Sequence, residues 1–244
     1  MSLASILRSV EMLIDDVLYV SYLVPTARLR SHVPDSLKFA TVEKNRVFVS
    51  VVLFRCRVSR VSLLPTPRLA FDQINVRTYV LDPCTGDCGV YFVASGVTSN
   101  SMAYLYRLVS GMPVKKIPFS VRAQRDEQMR YNYYSASGYW NGDLHIEATE
   151  VAPLVEELPP FPTTREAILY LVDQTIGFYG SPRRIRRLKV WHPHSPPRVC
   201  RLTQARFPFL TAQGMVRTSE MQQPHHVLVV PGWRFLTYLP PRRV

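Results

Sequence analysis

The sequence predicts a mainly β (α+β) chain with a few covering helices, on three observations. Apolar stretches rich in Val, Tyr, Phe and Thr recur along it, several alternating with polar residues at a period of two. Turn-forming Gly, Pro, Asn and Asp separate them at short intervals, which leaves little room for parallel crossovers. Few stretches carry apolar residues at helical spacing. With no internal repeat, low-complexity tract or long linker, residues 1–244 read as a single domain built on a large antiparallel, barrel-like sheet.

A chain of 244 residues with 47% hydrophobic side chains can fill a sizeable core. The net charge of +12 and pI near 9.8 suit an acidic small molecule, a nucleic acid or an anionic membrane surface, and charge alone does not choose among them. Cys56, Cys84, Cys88 and Cys200 are too scattered for a disulfide framework, so a reducing cytoplasm is the expectation. Cys84 and Cys88 lie in a turn-rich loop without a second pair at zinc-site spacing, and neither His192 and His194 nor His225 and His226 bring a partner cluster, so no metal is expected. Near the N-terminus Arg8, Glu11, Asp15 and Asp16 interrupt the apolar residues, which speaks against a signal segment or membrane span.

In chain order, Leu3 to Leu13 reads as a short amphipathic helix and Leu18 to Val24 as a strand that Pro25 ends. Thr26 to Val33 suits a short helix and Arg46 to Ser59 a strand, which Leu63 to Pro67 should break. Phe71 to Asp82 is a strand with two unlike faces. Ile74, Val76, Thr78 and Val80 share one, while Phe71, Gln73, Asn75, Arg77 and Tyr79 share the other. That polar row either meets water or lines a polar interior, where Arg77 would be offered to a carboxylate. Cys88 to Gly96 returns as the second arm of a hairpin. Ser101 to Ser110 is a helix with Ser99 or Asn100 as N-cap and Gly111 beyond its end. Gln128 to Ser137 and Asp143 to Val151 are strand-like. Thr163 opens a helix with Glu166 completing a capping box. The basic run Arg183 to Lys189 reads as a solvated face, and strands resume at Val199 to Phe207 and His226 to Leu239.

Lysine use is the chemically pointed feature. The chain has five lysines, Lys38, Lys44, Lys115, Lys116 and Lys189, and otherwise uses Arg for positive charge. Two of the five are adjacent in Gly-Met-Pro-Val-Lys-Lys-Ile-Pro-Phe, residues 111–119, where Pro113 and Pro118 favour extended backbone. A lysine amine, unlike a guanidinium, becomes a neutral nucleophile when buried. The same pair also reads as ordinary surface charge.

The helix leading through Gly-Met-Pro to Lys115 and Lys116, the strand Phe-Asp-Gln-Ile-Asn-Val-Arg-Thr-Tyr-Val (71–80), Gly89 to Phe92, Val24-Pro25 with Arg28, and the terminal His226 to Pro240 resemble the acetoacetate decarboxylase-like superfamily, and within it the uncharacterised YqjF-like branch. The resemblance spans Leu18 to Pro240 and implies a closed, cone-like β-barrel whose cavity holds the reactive centre. It places Lys115 at the Schiff-base position with Lys116 beside it, and it implies a carbon–carbon lyase acting on a small keto acid without a cofactor. Arg77, Asn75, Gln73 and Arg28 would bind the substrate. Two departures stand against acetoacetate itself. The decarboxylases carry Arg-Glu before Tyr-Pro-Lys-Lys, where this chain has Arg107 followed by Leu-Val-Ser-Gly-Met-Pro-Val. Gln73 stands where the YqjF-like strand usually has Glu, and Gln cannot titrate. A barrel that binds an anionic small molecule without turnover is the alternative. Nucleic-acid binding through Arg183 to Lys189 is a third and disfavoured one, because Trp191 alone offers a stacking platform. A homo-oligomer is compatible with all three.

Overall fold

The structure is a computed structural model that describes residues 8–61, 64–151 and 158–244, with the backbone alone at 64–68. It is mainly β and its sheet is mixed. The strands are β1 (Ser9–Pro25), β2 (Arg46–Val61), β3 (Leu64–Leu81), β4 (Cys88–Val97), β5 (Val114–Lys116), β6 (Phe119–Arg125), β7 (Tyr131–Tyr139), β8 (Asp143–Glu150), β9 (Ile176–Ser181), β10 (Arg184–Trp191), β11 (Arg198–Arg206), β12 (His226–Tyr238) and β13 (Arg242–Arg243). Among the described residues they are accompanied by the α-helices α1 (Asn100–Val109), α2 (Thr164–Leu171) and the short α3 (Pro208–Ala212).

Strand order in the sheet is β13-β10-β9-β4-β3-β2-β1-β12-β11-β8-β7-β6, with β5 added beside β4. A further pairing of β10 with β12, through Val190 opposite Thr237 and Trp191 opposite Leu236, makes the order β12-β1-β2-β3-β4-β9-β10 cyclic. Strands β11, β8, β7 and β6 continue outward from β12 and fold back over β1 and β2. The Tyr134 hydroxyl on β7 bonds the carbonyls of Asp16 and Leu53, tying the layers together. Both faces of β1 are therefore covered, which explains its unbroken burial from Asp16 to Val24.

A bulge in β1 between Asp15 and Leu18 leaves Asp16 at φ 54°, a left-handed conformation that Asp tolerates better than most residues. Its side chain accepts hydrogen bonds from Arg55 on β2, Arg125 on β6 and the Tyr131 hydroxyl on β7. Burial alone would raise the Asp16 carboxyl, but these hydrogen bonds hold it below the usual carboxylate range. Gly232 faces the bulge at φ 143°, where a Cβ would lie 2.5 Å from the Ile14 carbonyl oxygen.

Several expectations change. Leu3 to Leu7 lie outside the described residues, while Ser9 to Leu13 are strand rather than helix. Met12 and Ile14 are buried and Leu13 is exposed between them, the period of two that pairing with both β2 and β12 requires. Leu64 to Pro67 begin β3 instead of breaking the sheet, and Leu63 lies outside the described residues. Thr26 to His32 forms two 3-10 turns. The sheet is not wholly antiparallel, because β4 pairs in parallel with both β5 and β9. Strands β6, β9 and β10 are ones that the sequence patterning had not marked.

Candidate functional site

Period-two alternation in β3 sends Gln73, Asn75 and Arg77 to the inner face of the cyclic sheet, where all three are at least nine-tenths buried. They line a cavity of about 370 Å³. Of the two readings of this row, water or interior, the second describes it, since Asn75 and Arg77 line one cavity. Apolar side chains dominate the wall, among them Val17, Val52, Phe54, Phe92, Leu188 and Val190. Helix α1, capped by the Ser99 hydroxyl accepting from the Met102 amide, adds Met102, Leu105, Tyr106 and Val109 from its inner side. On β1 the lining runs from Val10 to Tyr19, on both sides of the bulge, so an apolar wall extends well beyond the polar groups.

The polar groups gather toward one end. Arg77 Nη2 donates to the Leu171 carbonyl at the C-terminus of α2 over 2.7 Å. Its guanidinium lies 5.3 Å and 5.7 Å from the ring centroids of Tyr19 and Tyr79. No carboxylate among the described residues pairs with it, and its Nε is buried without a partner. A buried cation lacking a counter-anion is costly, and the partial negative charge of a helix C-terminus offsets only part of that cost. Beside it, the Tyr106 hydroxyl donates to Gln73 Oε1 over 2.9 Å and Gln73 Nε2 donates to Asn75 Oδ1 over 3.1 Å. This relay leaves the Asn75 amide N–H groups as the donors that the network does not use. Burial holds the Tyr106 phenol well up, so it remains a donor at any physiological pH.

The remaining candidates lie elsewhere. Lys115 and Lys116 are both exposed on β5, and neither lines the cavity. The residue that the strand buries is Val114. Gly96 on β4 lies against this segment, where a Cβ would come within 2.3 Å of the Ile117 side chain. Arg28 pairs with Glu220 at 2.6 Å and does not line the cavity. Of the basic run, Arg187 pairs with the fully buried carboxyl of Asp82 and Arg186 donates to the Ser110 carbonyl. These two are structural rather than a solvated face, and β13 sets Arg243 and Arg242 opposite them.

Five cavity residues had no signal strong enough to single them out. Gln174 follows α2 in an irregular stretch. His192 lies stacked on Trp233 and Phe235, with ring centroids 4.8 Å and 5.8 Å away. Trp233, Phe235 and Thr237 alternate inward along β12, a period that would have grouped them had the cyclic sheet been known. His226, by contrast, is buried away from this cavity, and burial pushes it down to about 4. Among the described residues no three His, Cys, Asp or Glu side chains gather as a metal site, and no helix is long and apolar enough to cross a membrane.

A family model for an uncharacterised conserved protein, DUF2071, matches residues 11–234. No curated protein matches the chain in sequence. Among solved structures, an acetoacetate decarboxylase-like enzyme from Sphingomonas wittichii RW1 superimposes with a TM-score of 0.62 at 12% identity, covering 96% of this chain and 92% of that one. The enduracididine biosynthesis enzyme MppR, solved with the condensation product of pyruvate and imidazole 4-carboxaldehyde, gives 0.60 at 11% identity over 96% and 88%. Acetoacetate decarboxylase from Legionella pneumophila gives 0.59 at 11% identity over 96% and 87%. At these identities the likeness is one of fold.

Proposed function

We propose a function for a chain that belongs to the DUF2071 family of uncharacterised conserved proteins and has an acetoacetate decarboxylase-like fold: it takes up an organic anion with an elongated apolar body. The cyclic strand pairing is read as a closed, cone-like barrel. The anionic head sits at Arg77 and Asn75, and the body lies along the apolar wall toward Val10 and Thr237. The unpaired, buried guanidinium of Arg77 in a cavity whose wall is mostly apolar carries this reading. The net charge of +12 favours the approach of anions.

Octanoate is a suitable probe. At a concentration 100 times its Kd it should stabilise the fold by about 2.7 kcal/mol, and 1-octanol at the same concentration should do much less. Equal stabilisation by the two would remove the anion from the reading.

A lysine-dependent lyase on a small keto acid is the second reading, which the fold of MppR and the decarboxylases favours. It requires the Lys115 amine to lose its proton by desolvation, and Lys115 stands exposed. Borohydride treatment with pyruvate or acetoacetate, followed by peptide mass mapping, is therefore expected to give no adduct on the peptide holding Lys115 and Lys116. An adduct lost specifically in Lys115→Arg would reverse the order of the two readings.

A further inference from the structure

Gln174 is a buried side chain in the cavity wall with one half fully bound and the other unused. Its Nε2 donates to the carbonyls of Leu169 over 2.8 Å and Tyr170 over 2.9 Å, with the Cys88 sulfur a further 3.6 Å neighbour. Those two carbonyls fix which end of the amide is nitrogen. The Oε1 is then an acceptor of settled orientation, and it is buried without a partner. Leaving such an atom unpaired costs on the order of 1–3 kcal/mol.

Its location gives that acceptor a meaning. The carbonyls held by Gln174 are those of residues 169 and 170, and the next carbonyl in the chain, of Leu171, accepts from Arg77. The end of α2 thus fastens a cation and a neutral acceptor side by side in one cavity wall. We infer that the ligand carries a hydrogen-bond donor next to its anionic group, and that Gln174 Oε1 accepts from it. A neutral hydroxyl fits, because an ammonium would meet the charge of Arg77. The chemical class is a hydroxy acid, with the hydroxyl one or two carbons from the carboxylate, on an apolar body. This rests on the anion-binding reading above and narrows it.

The test compares octanoate with the 2-hydroxy and 3-hydroxy octanoates, each enantiomer separately, by titration calorimetry on the wild-type protein. One hydroxy acid should bind about ten-fold more tightly than octanoate, the worth of one net buried hydrogen bond. Gln174→Met removes the acceptor together with the Nε2 bonds to Leu169 and Tyr170, so the two acids are compared within the variant, where the hydroxy acid should bind no more tightly than octanoate. The methoxy analogue of the favoured acid keeps the oxygen but cannot donate, and on wild type it should lose the advantage too. That arm decides the matter even if Gln174→Met fails to fold. Octanoate binding as tightly as every hydroxy acid overturns the inference and leaves the anion reading standing. An advantage that survives in Gln174→Met, or in the methoxy analogue, also overturns it. Failure of every acid, octanoate included, removes both.

Discussion

Replacing Arg77 by Met is expected to lower the affinity for octanoate about 100-fold while leaving the fold nearly as stable as wild type. Hydrogen bonds to a charged partner contribute about 1.5–3 kcal/mol, and the upper part of that range corresponds to the stated loss. Stability should hold because the guanidinium is buried without a carboxylate. Met replaces the aliphatic stem without bringing a charge out of water, and the Tyr79 hydroxyl still donates to the Leu171 carbonyl at 3.1 Å. Arg77→Lys keeps the charge but loses the planar fork, and an intermediate loss of about ten-fold is expected. Binding of 1-octanol should change little in either variant, which separates loss of the anion contact from damage to the cavity. Unchanged octanoate affinity in Arg77→Met would place the anion anchor elsewhere.

Asp16→Asn should be strongly destabilising, costing on the order of 2–3 kcal/mol at pH 7. Breaking a buried ion pair typically costs about 3–5 kcal/mol, and the figure is reduced here because Arg55 is half-exposed and screened. Asn tolerates the left-handed backbone at this position as Asp does, so the substitution isolates the charge. In a chain of this size the loss amounts to roughly 5–10 °C in Tm. The pH dependence follows from the lowered carboxyl of Asp16. Its contribution is fully present above the unfolded pKa of about 3.9 and is lost as pH falls through the lower folded value. Urea denaturation should show wild type and variant well separated at pH 7 and converging below about pH 4. A separation that persists at low pH would mean that Asp16 acts by shape rather than charge.

What the sequence disclosed follows from how local each signal is. The inward row Gln73, Asn75 and Arg77 was legible because a strand of uniform period two keeps its faces apart over ten residues. The two capped helices were legible because Ser99 and Thr163 each bond an amide three residues on. Strand β10 was hidden because its buried residues fall on opposite faces, Leu188 and Val190 toward the cavity and Ile185 in a separate core cluster, and the charged residues dominated the pattern. Its neighbour β9 is short and joins β4 in parallel across more than eighty residues of chain, a pairing with no local trace. Lysine scarcity drew attention to residues 115 and 116, yet exposure is decided by register, and the strand turns Val114 inward. Gln174 was silent because its role is set by the end of a helix and by two strands that the sequence does not place beside it.

Strand β1 is flanked by β2 on one side and by β12 on the other, so the first long strand and the last long strand of the chain are neighbours. During synthesis at about 5–20 residues per second, the β12 side of β1 stays bare for roughly 10–40 s after β1 itself is made. That edge is long, apolar and rich in Val and Leu, the kind that recruits strands from other chains. The ligand space is equally late, since Trp233, Phe235 and Thr237 form part of its wall. Nascent chains of this protein should therefore depend on a holding chaperone until the last strand docks, and C-terminal truncations that remove β12 should aggregate rather than yield a smaller folded core.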